Sequence, residues 1–196
     1  MAHQLTAAAR RQLEDTRQAF DKLLADSQVL ETVAAVAEQC TRTILAGGKV
    51  MFAGNGGSAA DAQHLAGEFV SRFNFDRPGI AGLALTTDTS VLTAIGNDYG
   101  YEQVFSRQVQ ALGRSGDVLV GITTSGKSPN ILRALEQARE SGVIRVGMTG
   151  AKGTAMRDLC DYCIVVPEYP TPRVQELHIA IGHAICTLVE ESVFRS

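Results

Sequence analysis

The chain of 196 residues has no tryptophan, and aromatic residues reach only 6%. A surface that stacks successive bases has little to be built from. Basic charge is as spare. Eighteen Lys and Arg against 21 Asp and Glu leave a net −3, with no excess for a phosphodiester backbone. Both scarcities argue against a nucleic-acid partner. No apolar run approaches the roughly 20 residues that span a bilayer. The opening Met1-Ala-His-Gln-Leu-Thr-Ala-Ala-Ala-Arg-Arg lacks the apolar stretch of a secretory signal, so no membrane partner is expected. The four cysteines, Cys40, Cys160, Cys163 and Cys186, do not form a disulfide framework, and a chain this long can bury a core without staples. A reducing, cytoplasmic setting is the expectation. Cys160 and Cys163 have C-x-x-C spacing but no second pair for zinc, and Cys163 opens a strand-like Cys-Ile-Val-Val.

What is present is ordinary for a globular domain: 45% hydrophobic, 20% charged and 19 glycines, the last more than a helical bundle needs. Residues 5–46 read as helix, with Leu13, Phe20, Leu23, Leu24, Leu30, Val33, Val36 and Ala37 at spacings of three, four and seven. Forty helical residues are too many for one helix on a small domain, so a break near Ser27 is expected, and Gly47-Gly48 ends the region. Residues 1–46 are thus expected to form a helical arm and 47–196 one structural unit. After Gly48, apolar segments at 49–53, 82–86, 117–123, 143–149 and 161–166 alternate with helical stretches. A final helix is expected over 174–193. That alternation predicts a five-stranded parallel sheet flanked by helices on both faces.

Ligands of such a sheet bind outside the carboxyl ends of its strands. Two loops fall there: Gly54-Asn55-Gly56-Gly57-Ser58 and Thr123-Thr124-Ser125-Gly126-Lys127-Ser128, the second followed by Pro129 at a helix N1 position. Both offer hydroxyls and backbone N–H groups at a helix start, which suits an anion. Neither has Walker or dinucleotide spacing, and each alone is equally a capped strand–helix turn. Two on one sheet edge favour a phosphorylated small molecule.

Inside the helix after the first loop, His64 and Glu68 are four apart and share a face, with Asp61 three before His64. Such a pair holds a cation, works as acid and base, or is merely an exposed helix pair. The last helix carries Gln175, Glu176, His178 and His183. Gln175 and His183, eight apart, face one side. His183 lies in an apolar stretch where a polar ring is either a satisfied core histidine or a working one, and by itself it reads as core. Gly96-Asn97-Asp98-Tyr99-Gly100 has the composition of a turn, and Asn97 and Asp98 are candidates for sugar hydroxyls.

Taken jointly, strand–GNGGSA–helix, GNDYG, a strand ending in TTSGKSPN and RVQELHIAIGH on the last helix resemble the sugar-isomerase (SIS) domain family. Within it they resemble the phosphoheptose isomerases, over nearly the whole chain. The resemblance implies a flavodoxin-like three-layer sandwich and a cytoplasmic homotetramer. It implies conversion of D-sedoheptulose 7-phosphate to D-glycero-D-manno-heptose 7-phosphate, through a cis-enediol, for lipopolysaccharide or capsule. It implies phosphate binding by Ser58, Thr123, Ser125 and Ser128, and sugar contacts from Asn55, Gly56, Gly57, Asn97, Asp98 and Thr124. Glu68 and His183 match the acid/base pair, and His64, Glu68, Gln175 and His183 match the ligands of one zinc per subunit. Pro172 departs from the pattern, standing where some relatives have Asp.

Three alternatives are carried. A replication-initiator-associating regulator shares this fold without isomerase activity, but its family lacks counterparts of Glu68 and His183. A sugar-phosphate-sensing regulatory domain would be joined to a DNA-binding module, and no basic helix-turn-helix segment is found. An isomerase of another sugar phosphate is the third. The large amphipathic arm and the apolar surroundings of His183 predict a closed oligomer, with His183 of one chain facing Glu68 of its neighbour.

Overall fold

The computed structural model describes residues 2–168 and 170–195; the outer limits 1 and 196 of the expected arm and body lie outside them. Helix α1 spans Ala2–Ala25 and α2 spans Ser27–Leu45. The break falls at Asp26, whose Oδ1 accepts the Val29 amide at 3.1 Å and so caps α2. The alternation then runs β1 (Val50–Gly54), α3 (Gly57–Val70), β2 (Gly82–Ala84), α4 (Thr89–Tyr99), α5 (Ser106–Leu112), β3 (Val118–Ile122), α6 (Pro129–Glu140), β4 (Ile144–Gly150), β5 (Tyr162–Val166) and α7 (Thr171–Phe194). Short 3₁₀ segments cover 101–103 and 151–159. The Gly96–Tyr99 stretch is not a turn, as its composition suggested, but the last turn of α4. The reversal comes one residue later, at Gly100 with φ +89°.

All strand pairs are parallel, in the order β2-β1-β3-β4-β5. The chain moves outward from β1 to β2, then returns to the other side of β1 with β3. Strand order therefore reverses between β1 and β3, and a crevice opens at their carboxyl ends. Gly54 pairs with Ile122 at that edge, which sets the two candidate loops side by side.

Alternate strand residues feed two cores. Val50, Phe52, Val118, Val120, Ile122, Val146, Met148 and Ile164 pack under α2, α3 and α7. Met51, Ala53, Leu119 and Leu85 pack under α5 and α6. Helix α2 supplies Val29, Val33, Val36, Ala37 and Cys40 from one stripe, each fully buried Val adding about 1.5–3 kcal/mol. Among the described side chains of α1 the buried ones are Ala19 and Leu23, while Leu5, Leu13 and Leu24 are 65%, 72% and 66% exposed. Several apolar positions of the arm thus lie outside the core of one chain. The 24-residue α7 is long and apolar enough, by length and composition, to cross a membrane, which the sequence reading did not find. Its apolar side, Val174, Leu177, Ile181, Ile185 and Val189, is buried in the sheet–helix core.

Candidate active site

The first loop leaves β1 through Gly56, whose φ of +56° and ψ of −121° favour a residue without a side chain. It delivers Ser58, buried, into the first turn of α3. The Ser58 and Ala59 amides are already spent on the carbonyls of Asn55 and Gly56, which shifts the donor role toward hydroxyls. The second loop gathers three of them. Thr123 Oγ1 lies 2.8 Å from Ser128 Oγ and 3.4 Å from Ser125 Oγ, and Ser125 Oγ accepts the Lys127 amide at 3.2 Å. Gly126 turns this loop at φ +66°, with Gly153 packed against it. A cleft of about 150 Å³ beside the loop is lined by Thr124, Ser125, Lys127, Lys152, Glu168 and Thr171.

The two loops are locked together through Asn55 by Asn130 and Tyr101, which the sequence reading did not name as site residues. Asn55 Nδ2 donates to Asn130 Oδ1 at 2.9 Å, and Asn130 Nδ2 returns a bond to Asn55 Oδ1 at 2.8 Å. The Tyr101 hydroxyl donates to the same Asn55 oxygen at 3.1 Å. Asn130 follows Pro129 in the first turn of α6.

Helices α3 and α7 lie side by side on one face of the sheet. They pack tightly at Gly182, where a Cβ would stand 2.6 Å from Leu65 Cδ2. The residues next to this contact in sequence, His183 and His64, meet with Nε2 atoms 2.8 Å apart. Their rings are 5.0 Å apart at 63°. His64 Nε2 is also 3.1 Å from Glu68 Oε1. One donor nitrogen, one acceptor nitrogen and a carboxylate thus converge, with the ligand atoms of His64, Glu68 and His183 all within 4.8 Å of one another. That donor set is suited to a divalent cation. Gln175, two turns earlier on α7, presses its side chain against Gly57, where a Cβ would overlap its amide nitrogen. The carboxamide therefore bridges α7 to the first loop.

The structure places the remaining candidates as follows. His183 does not need a Glu68 from a neighbour: both belong to one chain, because α3 and α7 are adjacent in the same layer. The core histidine of α7 is instead His178, 1% exposed, whose imidazole is pushed down to about 4 by burial. Asp61 does not join the cluster. Its Oδ2 is buried without a hydrogen-bond partner among the described residues, and burial pushes its carboxyl up against the opposing pull of His64. Asn97 donates to Asp98 at 2.7 Å, and neither hydrogen-bonds to the two loops. Asp98 lines a separate groove between α4 and α5, with Leu83 and Arg107.

The SIS domain family matches residues 14–150. The phosphoheptose isomerase of Aneurinibacillus thermoaerophilus is 61% identical over 176 residues, covering 90% of this chain and 89% of that protein. Among solved structures, the phosphoheptose isomerase of Neisseria gonorrhoeae superposes with a TM-score of 0.89 at 40% identity, over 95% of this chain and 99% of the other. That of Francisella tularensis gives 0.90 at 33% identity, over 95% and 98%.

Proposed function

The chain belongs to the phosphoheptose isomerases of the SIS domain family, and from that premise we propose how its residues carry out the reaction. It is an aldose–ketose isomerase that converts D-sedoheptulose 7-phosphate to D-glycero-D-manno-heptose 7-phosphate. The phosphate is held by Ser58, Thr123, Ser125 and Ser128, the last three already clustered. Asn55, Gly56, Gly57 and Thr124 line the sugar from the same loops, and Gln175, packed against Gly57, completes its surroundings.

The convergence of Glu68 and His183 on His64 within one chain carries the mechanistic reading. The Glu68 carboxylate takes a proton from C1 while the C2 carbonyl oxygen gains one, giving the cis-enediol. Glu68 then returns a proton to C2 as the C1 hydroxyl gives up its own, and the aldehyde forms. His183 is the group that exchanges protons with the oxygens. His64, Glu68, Gln175 and His183 fit one zinc per subunit, since two imidazoles and a carboxylate already face a common point. When bound, zinc polarises the carbonyl and stabilises negative charge on the neighbouring oxygens. A Glu68 carboxylate that binds the ion is a poorer base, so the ligand and proton-carrier roles compete for it.

The enzyme works as a cytoplasmic homotetramer, free of membrane and nucleic acid. The exposed Leu5, Leu13 and Leu24 of α1 support an apolar contact between copies. Its product supplies heptose for lipopolysaccharide, with capsule as a second destination. The arm of residues 1–46 serves assembly, and 47–196 carry the site. Incubation with sedoheptulose 7-phosphate, followed by product analysis, tests the activity. The heptose 7-phosphate is expected, and unchanged ketose with folded, zinc-supplied protein would refute it.

A further inference from the structure

The two helices that carry the cluster are tied together by a buried ion pair. Glu190, two turns past His183 on α7, is fully buried. Its carboxylate accepts the Phe73 amide at 2.9 Å, the Asn74 amide at 2.7 Å and Arg77 Nε at 2.9 Å. Arg77 spends its other donors on the end of α3 and on the segment that follows it. Nη1 reaches the carbonyls of Phe69 at 2.7 Å, Ser71 at 2.8 Å and Pro78 at 3.1 Å, and Nη2 reaches the Glu68 carbonyl at 2.7 Å. The last carbonyls of a helix have no partner within it, so one guanidinium caps the very turn that bears Glu68.

Burying both charges carries a desolvation cost that good geometry at best offsets. Burial acts to raise the Glu190 carboxyl, yet the two amides and Arg77 outweigh it and hold it below the usual carboxylate range. What this arrangement secures is the path of residues 71–79. That path brings the Phe73 ring to 5.4 Å from the His183 ring, tilted by 30°. The imidazole of His183 therefore has a ring neighbour from the strap as well as His64.

We propose that Phe73, held in place by Glu190 and Arg77, is a positioning residue for the isomerisation. It fixes the His183 imidazole in the orientation that meets Glu68 and His64. Glu190 and Arg77 act through Phe73 and through the main chain at Glu68, not on the reacting atoms. This inference rests on the isomerase reading of the cluster.

The test measures kcat and KM for sedoheptulose 7-phosphate in Phe73→Leu, Phe73→Tyr, Glu190→Gln and the Phe73→Leu/Glu190→Gln double variant. Glu68→Gln serves as control. Phe73 is only half-buried, so Phe73→Leu keeps apolar contact and keeps the inference testable if Glu190→Gln fails to fold. Phe73→Leu is expected to lower kcat about 10–100-fold, the scale of a small misplacement. KM should stay within about threefold, because the hydroxyl loops are untouched. Phe73→Tyr, which keeps the ring, should recover most of the lost rate. Glu190→Gln should lower kcat per folded site and add little on top of Phe73→Leu, since both act through one ring. A Phe73→Leu kcat within about twofold of the parent, an equal loss in Phe73→Tyr, or fully additive losses would overturn the inference. An active Glu68→Gln control would instead refute the isomerase reading of the cluster, whatever the Phe73 variants do.

Discussion

His64 on α3 and His183 on α7 are 119 residues apart in the chain and 2.8 Å apart at their Nε2 atoms. At that separation two neutral imidazoles share one proton, one nitrogen donating and the other accepting. Placing Glu68 Oε1 3.1 Å from the same His64 nitrogen leaves more acceptors than protons at the centre of the cluster. A cation or a substrate hydroxyl relieves that imbalance. The contact exists because Gly182 lets α7 sit directly on Leu65 of α3.

Since both acid/base candidates lie in one chain, mixing inactive variants should not restore activity. Glu68→Gln alone is expected to lower turnover about 10²–10⁴-fold. Glu68→Gln protein mixed with His183→Gln protein, after verified subunit exchange, should stay at the level of the separate variants. Recovery toward one active site in about four, the random-pairing value for a shared site, would show that the working pair spans two chains.

Gly57 has no positive φ, so alanine is conformationally acceptable there. A Cβ would, however, overlap the Gln175 amide. Gly57→Ala should therefore leave the melting temperature nearly unchanged while displacing Gln175, with a fall in kcat/KM of about 10–100-fold. Steady-state kinetics beside a thermal melt decides it, and full activity would show that Gln175 repacks without consequence.

Bound zinc is expected at about one per subunit, displaced by chelators and lost more readily as acid protonates its histidines. Elemental analysis after zinc-supplemented purification, on the parent and on His64→Ala, provides the readout. Equal metal content in both would remove His64 from the ligand set.

His178 should give the fold an acid-sensitive component. Burial lowers its imidazole from 6.5 to about 4, with the Thr149 main chain pulling the other way. The unfolded chain takes up a proton near pH 6.5 that the folded chain refuses until about pH 4. The contribution is complete above about 6.5 and is lost as pH falls toward 4, amounting to about 3 kcal/mol at most. Asp117 behaves differently. Burial acts to raise its carboxyl, but the Lys49 side chain and the Lys49 and Arg114 amides hold it low. Its contribution therefore fades only below the ordinary carboxylate range. Melting temperatures of the parent and His178→Leu between pH 7 and 4 should converge as pH falls, and parallel curves would remove His178 from the acid response.

Much of this was legible in one dimension because local rules carried it. The break beside Ser27 was readable from the length limit on one helix, and Asp26 supplies the cap that makes it. Thr123, Ser125 and Ser128 lie within six residues of each other, so a single turn gathers them. His64 and Glu68 are one helical turn apart and could not avoid sharing a face. Leu13 and Leu24 kept the periodicity of core residues yet are exposed, because periodicity reports which face is apolar and not what covers it.

The sequence by itself determined the alternation of strands and helices, the two hydroxyl loops and the one-helix His64–Glu68 pair, all set by spacings shorter than a few turns. Only the tertiary structure decided which histidine of α7 joins the cluster with His64 and Glu68 and which is core. Five residues separate His178 from His183, about 1.4 turns, so one ring turns into the core and the other toward α3. It also decided that Glu68 and His183 meet within a single chain, that Asn130 locks Asn55, and that Phe73 reaches His183. These contacts join segments distant in the chain. Their partners are fixed by helix packing at Gly182 and by the buried Glu190–Arg77 pair, which no local pattern encodes.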